Sequence, residues 1–327
     1  MKSKTFSAIF LASSIFILVS IFSFTILVDP YDVTGINLLH IKHKLTRDGR
    51  LQKINRIKEL KSIDNLILGS SRSERLNPDT VNKLIGGYTY TFGVGGAGIE
   101  DALGLLLYLE KEQKLPKNII LCLDFISFGE GKPSEGFYKI PELNFLNSQN
   151  TNQNYAAKLF SIDALRASFK TFKIHMKHIE PNSYIDQNGF LKSKETTPSG
   201  DMESIKRVAD YYYNFNYKKG DIQFSKERFE YLNRIVIMSQ KHHISLYAML
   251  TPEHAELYRM VESNPKLFHK LGYVKQKLSS ITPYYDAMIL NEKTTDSKNF
   301  EDAVHYNEQM GNYLLEELLT PCNNKYK

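Results

Sequence analysis

The sequence predicts an α/β fold: a parallel sheet with crossover helices, set behind one N-terminal apolar helix. Three observations carry that expectation. Short apolar runs alternate with longer amphipathic segments, the pattern of strands joined by helices. The runs "NLILG" (65–69), "NIILCLDF" (118–125) and "ISLYAML" (244–250) are continuous, as strands buried on both faces are. From Thr5 to Val28 no residue is charged, a length that exceeds the about 20 residues needed to cross a bilayer core.

The elements follow in order. Lys2 and Lys4 precede the apolar run, and Asp29 and Asp32 follow it. No A-x-A-like cleavage site is evident, so residues 1–28 are expected to remain as an uncleaved membrane anchor. The flanking lysines favour a cytoplasmic residue 1 and place the rest on the periplasmic or extracellular side, although Lys42, Lys44 and Arg47 lie beyond the run. Residues 29–61 form a basic juxtamembrane segment, read as a solvated helix or arm beside anionic head groups.

The α/β domain is expected over 62–327. "NPDTVNKLI" reads as a helix start, with Asn77 as cap and Pro78 at the first helical position. "YTYTF" (88–92) is β-prone, and "GIEDALGLLLYLEKEQK" (98–114) is a helix. From about 130 to 224 the regularity breaks, and this stretch is read as a lid-like insertion. It holds an Asn-rich loop (144–155), a helical stretch (156–178), a hairpin signal at Asn188-Gly189, the loop "TTPSGD" (196–201) and the aromatic run "YYYNFNY" (211–217). The α/β pattern then resumes: an amphipathic helix (226–243), the strand at 244–250, "TPEHAEL", and a loop leading into a last helix by residue 319.

Composition excludes some classes. Of the 327 residues 42% are hydrophobic, which allows a sizeable core and excludes wholesale disorder. The net charge of +6 is spread along the chain, so nucleic acid is not an expected partner. Two cysteines, Cys122 and Cys322, are too few for a disulfide framework, and Cys122 in its apolar run reads as a small core residue. His175 and His178, and the adjacent His242 and His243, make no convincing metal set, and no metal or other cofactor is expected.

Three motifs carry the chemistry. "GSS", Gly69 to Ser71, ends the first strand. Its serines are either helix caps or a nucleophile held at the carboxyl edge of the sheet, where open α/β folds bind ligands. "GVGGAG", Gly93 to Gly98, fits G-x-G-x-x-G between a strand and a helix, with Asp124 near the place of a ribose-binding acid. Against a dinucleotide site stand the Thr/Tyr alternation of the preceding strand, the long spacing to Asp124 and the exported setting. Glycines that merely permit tight turns are a third reading. "DAVHY", Asp302 to Tyr306, puts a carboxylate and an imidazole three residues apart, where Asp302 can fix the tautomer of His305 and leave Nε2 as a base. His254, after a buried strand, reads as either a substrate contact or a helix-start residue. The 211–217 aromatics read as sugar-stacking rings or as core and lid packing.

In this order the motifs resemble those of the SGNH (GDSL-like) hydrolase superfamily. The chain is most similar to its membrane-anchored exported branch, which includes alginate O-acetyltransferases and the D-alanyl transfer protein of teichoic acid. The resemblance covers roughly residues 62–128 and 228–320, with the anchor and "VDPY". It implies a three-layer sandwich around a central parallel sheet, as in flavodoxin-like folds. It implies Ser71 as nucleophile, His305 as base and Asp302 as its orienting carboxylate. The backbone N–H groups of Ser71 and Gly96, with Gly95 as the alternative, would form the oxyanion hole. Ser70 would shape the turn, and Ser70, Asp124 and His254 are candidate substrate contacts. The implied function is acyl transfer on an envelope glycan, as O-acetyltransferase or acetylesterase. The partners would be the glycan, an acyl donor and other polysaccharide assembly proteins. The third block departs from the family. Where hydrolases carry G-x-N-D, this chain has "CLDFISF", and ionised Asp124 cannot donate to an oxyanion. One donor is worth about 10²–10³ in rate. A non-catalytic scaffold or glycan-binding subunit of an export machine is therefore the alternative, with a dinucleotide-binding protein behind it.

Overall fold

The computed structural model describes residues 3–35, 37–41, 44, 49–146, 159–193 and 200–320. Lys2, Lys42, Arg47, Cys322 and most of the Asn-rich loop lie outside the described residues, as do 196–199 of "TTPSGD". The chain begins with helix α1 (Ser3–Val28) and helix α2 (Arg50–Glu59). Then come β1 (Asn65–Gly69), α3 (Pro78–Ile85), β2 (Thr89–Gly93), α4 (Ile99–Lys111) and β3 (Asn118–Leu123). The irregular middle holds α5 (Glu135–Lys139), α6 (Ile162–Met176), the strands β4 (Ser183–Ile185) and β5 (Leu191–Ser193), and α7 (Met202–Tyr211). The remainder is α8 (Lys226–Lys241), β6 (Ser245–Leu250), α9 (Ala255–Ser263), α10 (Pro265–Ile281), β7 (Tyr285–Asp286), α11 (Glu292–Thr295) and α12 (Glu308–Leu319).

The sheet has five strands in the order β2-β1-β3-β6-β7, and every pair in it is parallel. The apolar runs form its buried centre: Leu66, Ile67 and Leu68 on β1, Ile119 to Leu123 on β3, and Leu246 to Leu250 on β6. Cys122 is a free, buried thiol in this core. The glycine that ends β1 is required by a close approach. A Cβ on Gly69 would stand 2.8 Å from the Cys122 Cβ. Helix α3 starts as its sequence dictates: the Asn77 side chain accepts from the Asp79 N–H at 2.9 Å, and Pro78 occupies the first turn, where its missing N–H costs nothing.

The edge strand β2 is polar in sequence yet wholly buried. The antiparallel β4–β5 hairpin covers it, with the Thr91 N–H donating to the Asn188 carbonyl at 2.8 Å. That contact pairs a backbone group which an open edge would leave to water.

Helix α1 is one helix long and apolar enough to cross a membrane, over Thr5–Val28. Its exit is sealed by Asp29, whose carboxylate accepts from the Val33 and Thr34 N–H groups at 2.7 and 2.8 Å. The segment after it corrects one expectation. Residues 50–59 are not a solvated arm, because Ile54 and Ile57 join the domain core and Arg50 and Lys53 are buried with them. A one-dimensional count of charges hides this, since the amphipathic face shows only at helical spacing.

Candidate active site

The carboxyl edge of the sheet brings three sequence motifs together. Ser71 follows the turn after β1, and its Oγ lies 2.8 Å from His305 Nε2. His305 Nδ1 lies 2.7 Å from Asp302 Oδ2. The D-x-x-H turn holds itself in place, because Asp302 Oδ1 accepts from the Val304 and His305 N–H groups, both at 2.8 Å. One carboxylate therefore fixes both the loop and the imidazole. Burial alone would raise the Asp302 carboxyl. The hydrogen bond and charge of His305, with the two backbone N–H groups, outweigh it and hold the carboxyl below its ordinary value. Asp302 is thus a stable anion, and its bond to Nδ1 presents Nε2 to Ser71 as a base.

Ser70 faces elsewhere. Its Oγ donates to Asp124 Oδ2 at 2.5 Å and accepts from the Arg72 N–H at 3.2 Å. Asp124 Oδ1 accepts from Thr251 Oγ1, also at 2.5 Å. Neither serine caps an α-helix; the chain continues into a short 3₁₀ turn, Ser73–Arg75. Below them Arg72 is fully enclosed. It donates to Thr251 Oγ1 and Glu253 Oε1, both at 3.1 Å, and its Nε lies 3.6 Å from Asp124. Burial would lower this guanidinium, but the Asp124 and Glu253 carboxylates more than offset it, so Arg72 stays charged. Tyr217 donates its hydroxyl to the same Glu253 oxygen. This buried network ties the ends of β1, β3 and β6 together beneath the serine turn.

The glycine loop faces a cavity of about 310 Å³ whose wall includes Ser71, Gly96, Asp124, Lys132, Tyr212 and Asn216. Gly96 has φ +66°, and a Cβ there would meet nothing within 4 Å, so the loop turns towards open space. Among the described residues neither the Ser71 nor the Gly96 N–H donates to a protein acceptor. The loop is clamped from behind by α2. Lys53 donates to the Gly93 carbonyl, and Arg50 pairs with Asp101 at 2.7 Å while Asp101 accepts from the Gly98 N–H at 2.9 Å. Burial pulls the Lys53 ammonium down to about 8.

The other candidates are placed as follows. Asp124 is on the cavity wall, but its carboxylate is engaged by Ser70 and Thr251, which removes the ribose contact a dinucleotide site needs. Its glycine loop also follows the edge strand β2 rather than a central one. His254 is buried and caps α9: its Nδ1 accepts from the Glu256 N–H at 3.1 Å, which puts the ring proton on Nε2. It does not line the cavity. The aromatic run divides. Tyr217 is core, Tyr212 is on the cavity wall, and Tyr211 and Phe215 are exposed with ring centroids 5.2 Å apart. Two further residues, Asn216 and Lys132, passed over in the sequence, also line the cavity, and the Asn216 Oδ1 is buried without a hydrogen-bond partner. Asn216 lies inside the quoted aromatic run, and its polarity among rings was the available signal.

No protein-family model matches the chain, and no curated protein matches its sequence.

Proposed function

We propose that the chain is a membrane-anchored serine acyltransferase or esterase acting on a cell-envelope polysaccharide, most simply by adding or removing acetyl groups. The observation that carries this reading is the Ser71–His305–Asp302 relay at 2.8 and 2.7 Å, with Ser71 on the wall of a cavity. Ser71 Oγ attacks the acyl carbonyl while its proton passes to His305 Nε2. The N–H groups of Ser71 and Gly96 hold the oxyanion. Collapse expels the leaving group, which takes the proton from His305. A sugar hydroxyl or water, deprotonated in turn by His305, then releases the acyl group from Ser71.

The reading includes an SGNH-type three-layer arrangement, a catalytic domain outside the cytoplasm, and a lid role for about 130–224. The lid role is supported by Lys132, Tyr212 and Asn216 on the cavity wall. Asn216, on the same cavity wall as Ser71, is the side chain proposed for the missing third oxyanion donor. Other polysaccharide assembly proteins would supply the acyl donor.

One observation favours a second reading. Asp124 stands where the family places its donor Asn, and it is locked into the fold by Ser70 and Thr251. That suits a scaffold or glycan-binding subunit without turnover. Burst kinetics separate the two. The full chain in detergent, mixed with p-nitrophenyl acetate, should release one equivalent of nitrophenol quickly and then turn over slowly. A sugar acceptor should raise the slow rate. No burst would leave the scaffold reading.

A further inference from the structure

Among the described residues, helix α6 carries a stripe of exposed large apolar side chains, and the helix packs against α1. Three residues at seven-residue spacing form a stripe: Ile162, Phe169 and Met176, exposed by 70%, 60% and 59%. Leu165 and Phe172 extend it on one side. On its other side Arg166, Lys170, Lys173 and Lys177 are all exposed, against Asp163, which sits 3.8 Å from Arg166. The third face, Ala164, Ser168 and Thr171, is buried. A soluble helix would turn its large apolar residues inward. Here the small residues face in, and the large ones are left outside beside a row of cations.

The neighbour of that stripe is the apolar helix itself. Phe24 meets Phe169 and Phe172 with ring centroids 4.9 and 5.7 Å apart, and Phe22 meets Phe160 at 4.8 Å. Tyr31, just past the exit of α1, donates to the Asp163 carbonyl at 3.4 Å. Phe22 lies six residues before the end of α1, about 9 Å along the helix axis. An interfacial helix buries its apolar face about 5–10 Å into the boundary between head groups and acyl chains, with Lys and Arg reaching back to the phosphates.

We propose that α6 is a membrane-surface helix: it lies in the head-group boundary of the bilayer crossed by α1, with Ile162, Phe169 and Met176 among the acyl chains and Arg166, Lys170, Lys173 and Lys177 on lipid phosphates. The inference rests on the anchor reading of α1. It gives the domain a second attachment, so its orientation to the bilayer is set by two helices rather than by one flexible tether. The occupant of the stripe is lipid, because the stripe is continuous with the apolar surface of α1 and the adjoining charge is basic.

The chain has no tryptophan, so a single introduced one reports its own surroundings. Full-length F169W and, as a second position, I162W are reconstituted in phosphatidylcholine vesicles with and without phosphatidylglycerol. Quenching by acyl-chain-brominated lipid is then measured. F16W in α1 reports the anchor. I289W, past β7 at the opposite edge of the sheet from β2, reports the body of the domain. The expected result is a blue-shifted emission for F169W and I162W, loss of most of it to brominated lipid, stronger with phosphatidylglycerol, and no quenching of I289W. Quenching of F16W without F169W or I162W overturns the proposal and keeps the anchor. Shielding of F169W in native membranes but not in vesicles also overturns it, in favour of a protein partner. Absence of quenching at F16W overturns the anchor reading and this proposal with it.

Discussion

Ser70 and Ser71, adjacent in the chain, point their hydroxyls at different partners: Ser71 Oγ is 2.8 Å from His305 Nε2, and Ser70 Oγ is 2.5 Å from Asp124 Oδ2. The turn therefore gives the two serines different partners, His305 for the proposed nucleophile and the buried Asp124 for its neighbour. Ser70→Ala removes one donor from a buried carboxylate, which costs about 1–3 kcal/mol. The Ser71 relay is untouched by it. Denaturant unfolding in detergent should show the loss of stability, and acylation of Ser71 should continue at a similar rate.

Among the described residues Arg72 is the one cation paired with Asp124 and Glu253 beneath the turn. Replacing it by Met leaves the buried Asp124 and Glu253 carboxylates without the cation they share. Breaking a buried pair in this way costs about 3–5 kcal/mol. Arg72→Met should lower the unfolding midpoint sharply, and adding Glu253→Gln should recover part of the loss. If the single variant unfolds like wild type, the network contributes nothing to stability.

Asp302 sets an acid limb. Its carboxyl is held below the ordinary 3.8, so its stabilising contribution is complete above that value and is lost only as pH falls through the lowered one. Asp302→Asn should lack this limb in acid unfolding curves. It should also slow acylation of Ser71, by up to about 10⁴, because the amide favours the wrong tautomer of His305.

Lys53 works in the opposite direction. Its ammonium is held at about 8 against 10.5 for a free lysine. The folded state binds fewer protons than the unfolded state between those values, so wild-type stability should rise as pH climbs from 8 to 10.5. Burying the charge costs about 3 kcal/mol near neutral pH. Lys53→Met should be more stable than wild type at pH 7 and should lose the alkaline rise. It also frees the Gly93 carbonyl behind the glycine loop, so acylation should slow even as stability improves. A slope unchanged in the variant would assign the alkaline rise to another group.

Much of this was legible in the residues. Continuous apolar runs marked β1, β3 and β6, and Asn77-Pro78 marked the start of α3, because each signal is local. The Asp302–His305 turn was legible for the same reason: one carboxylate reaches both the loop and the ring. What stayed hidden depends on distance along the chain. Arg72 and Glu253 are 181 residues apart, and nothing local marks either as buried. Strand β7 is two residues long and carries no apolar pattern. Asn264-Pro265 carries the same start signal as Asn77-Pro78, and α10 went unread beside it. Arg50 and Lys53 look solvated in a basic segment, and only the packing of Ile54 and Ile57 draws them inside. Asn216 belongs to the site through a π-helical turn, Tyr212–Asn216, that aromatic composition does not announce.

The central claim is that Ser71 is a nucleophile driven by His305. The most direct measurement is intact-mass spectrometry with peptide mapping after exposure of the full chain to a fluorophosphonate. Wild type and Ser70→Ala should each gain one adduct, mapped to Ser71. Ser71→Ala and His305→Ala should gain none, since the hydroxyl needs its base. An adduct on Ser70 in Ser71→Ala, or equal labelling of His305→Ala, would contradict the relay.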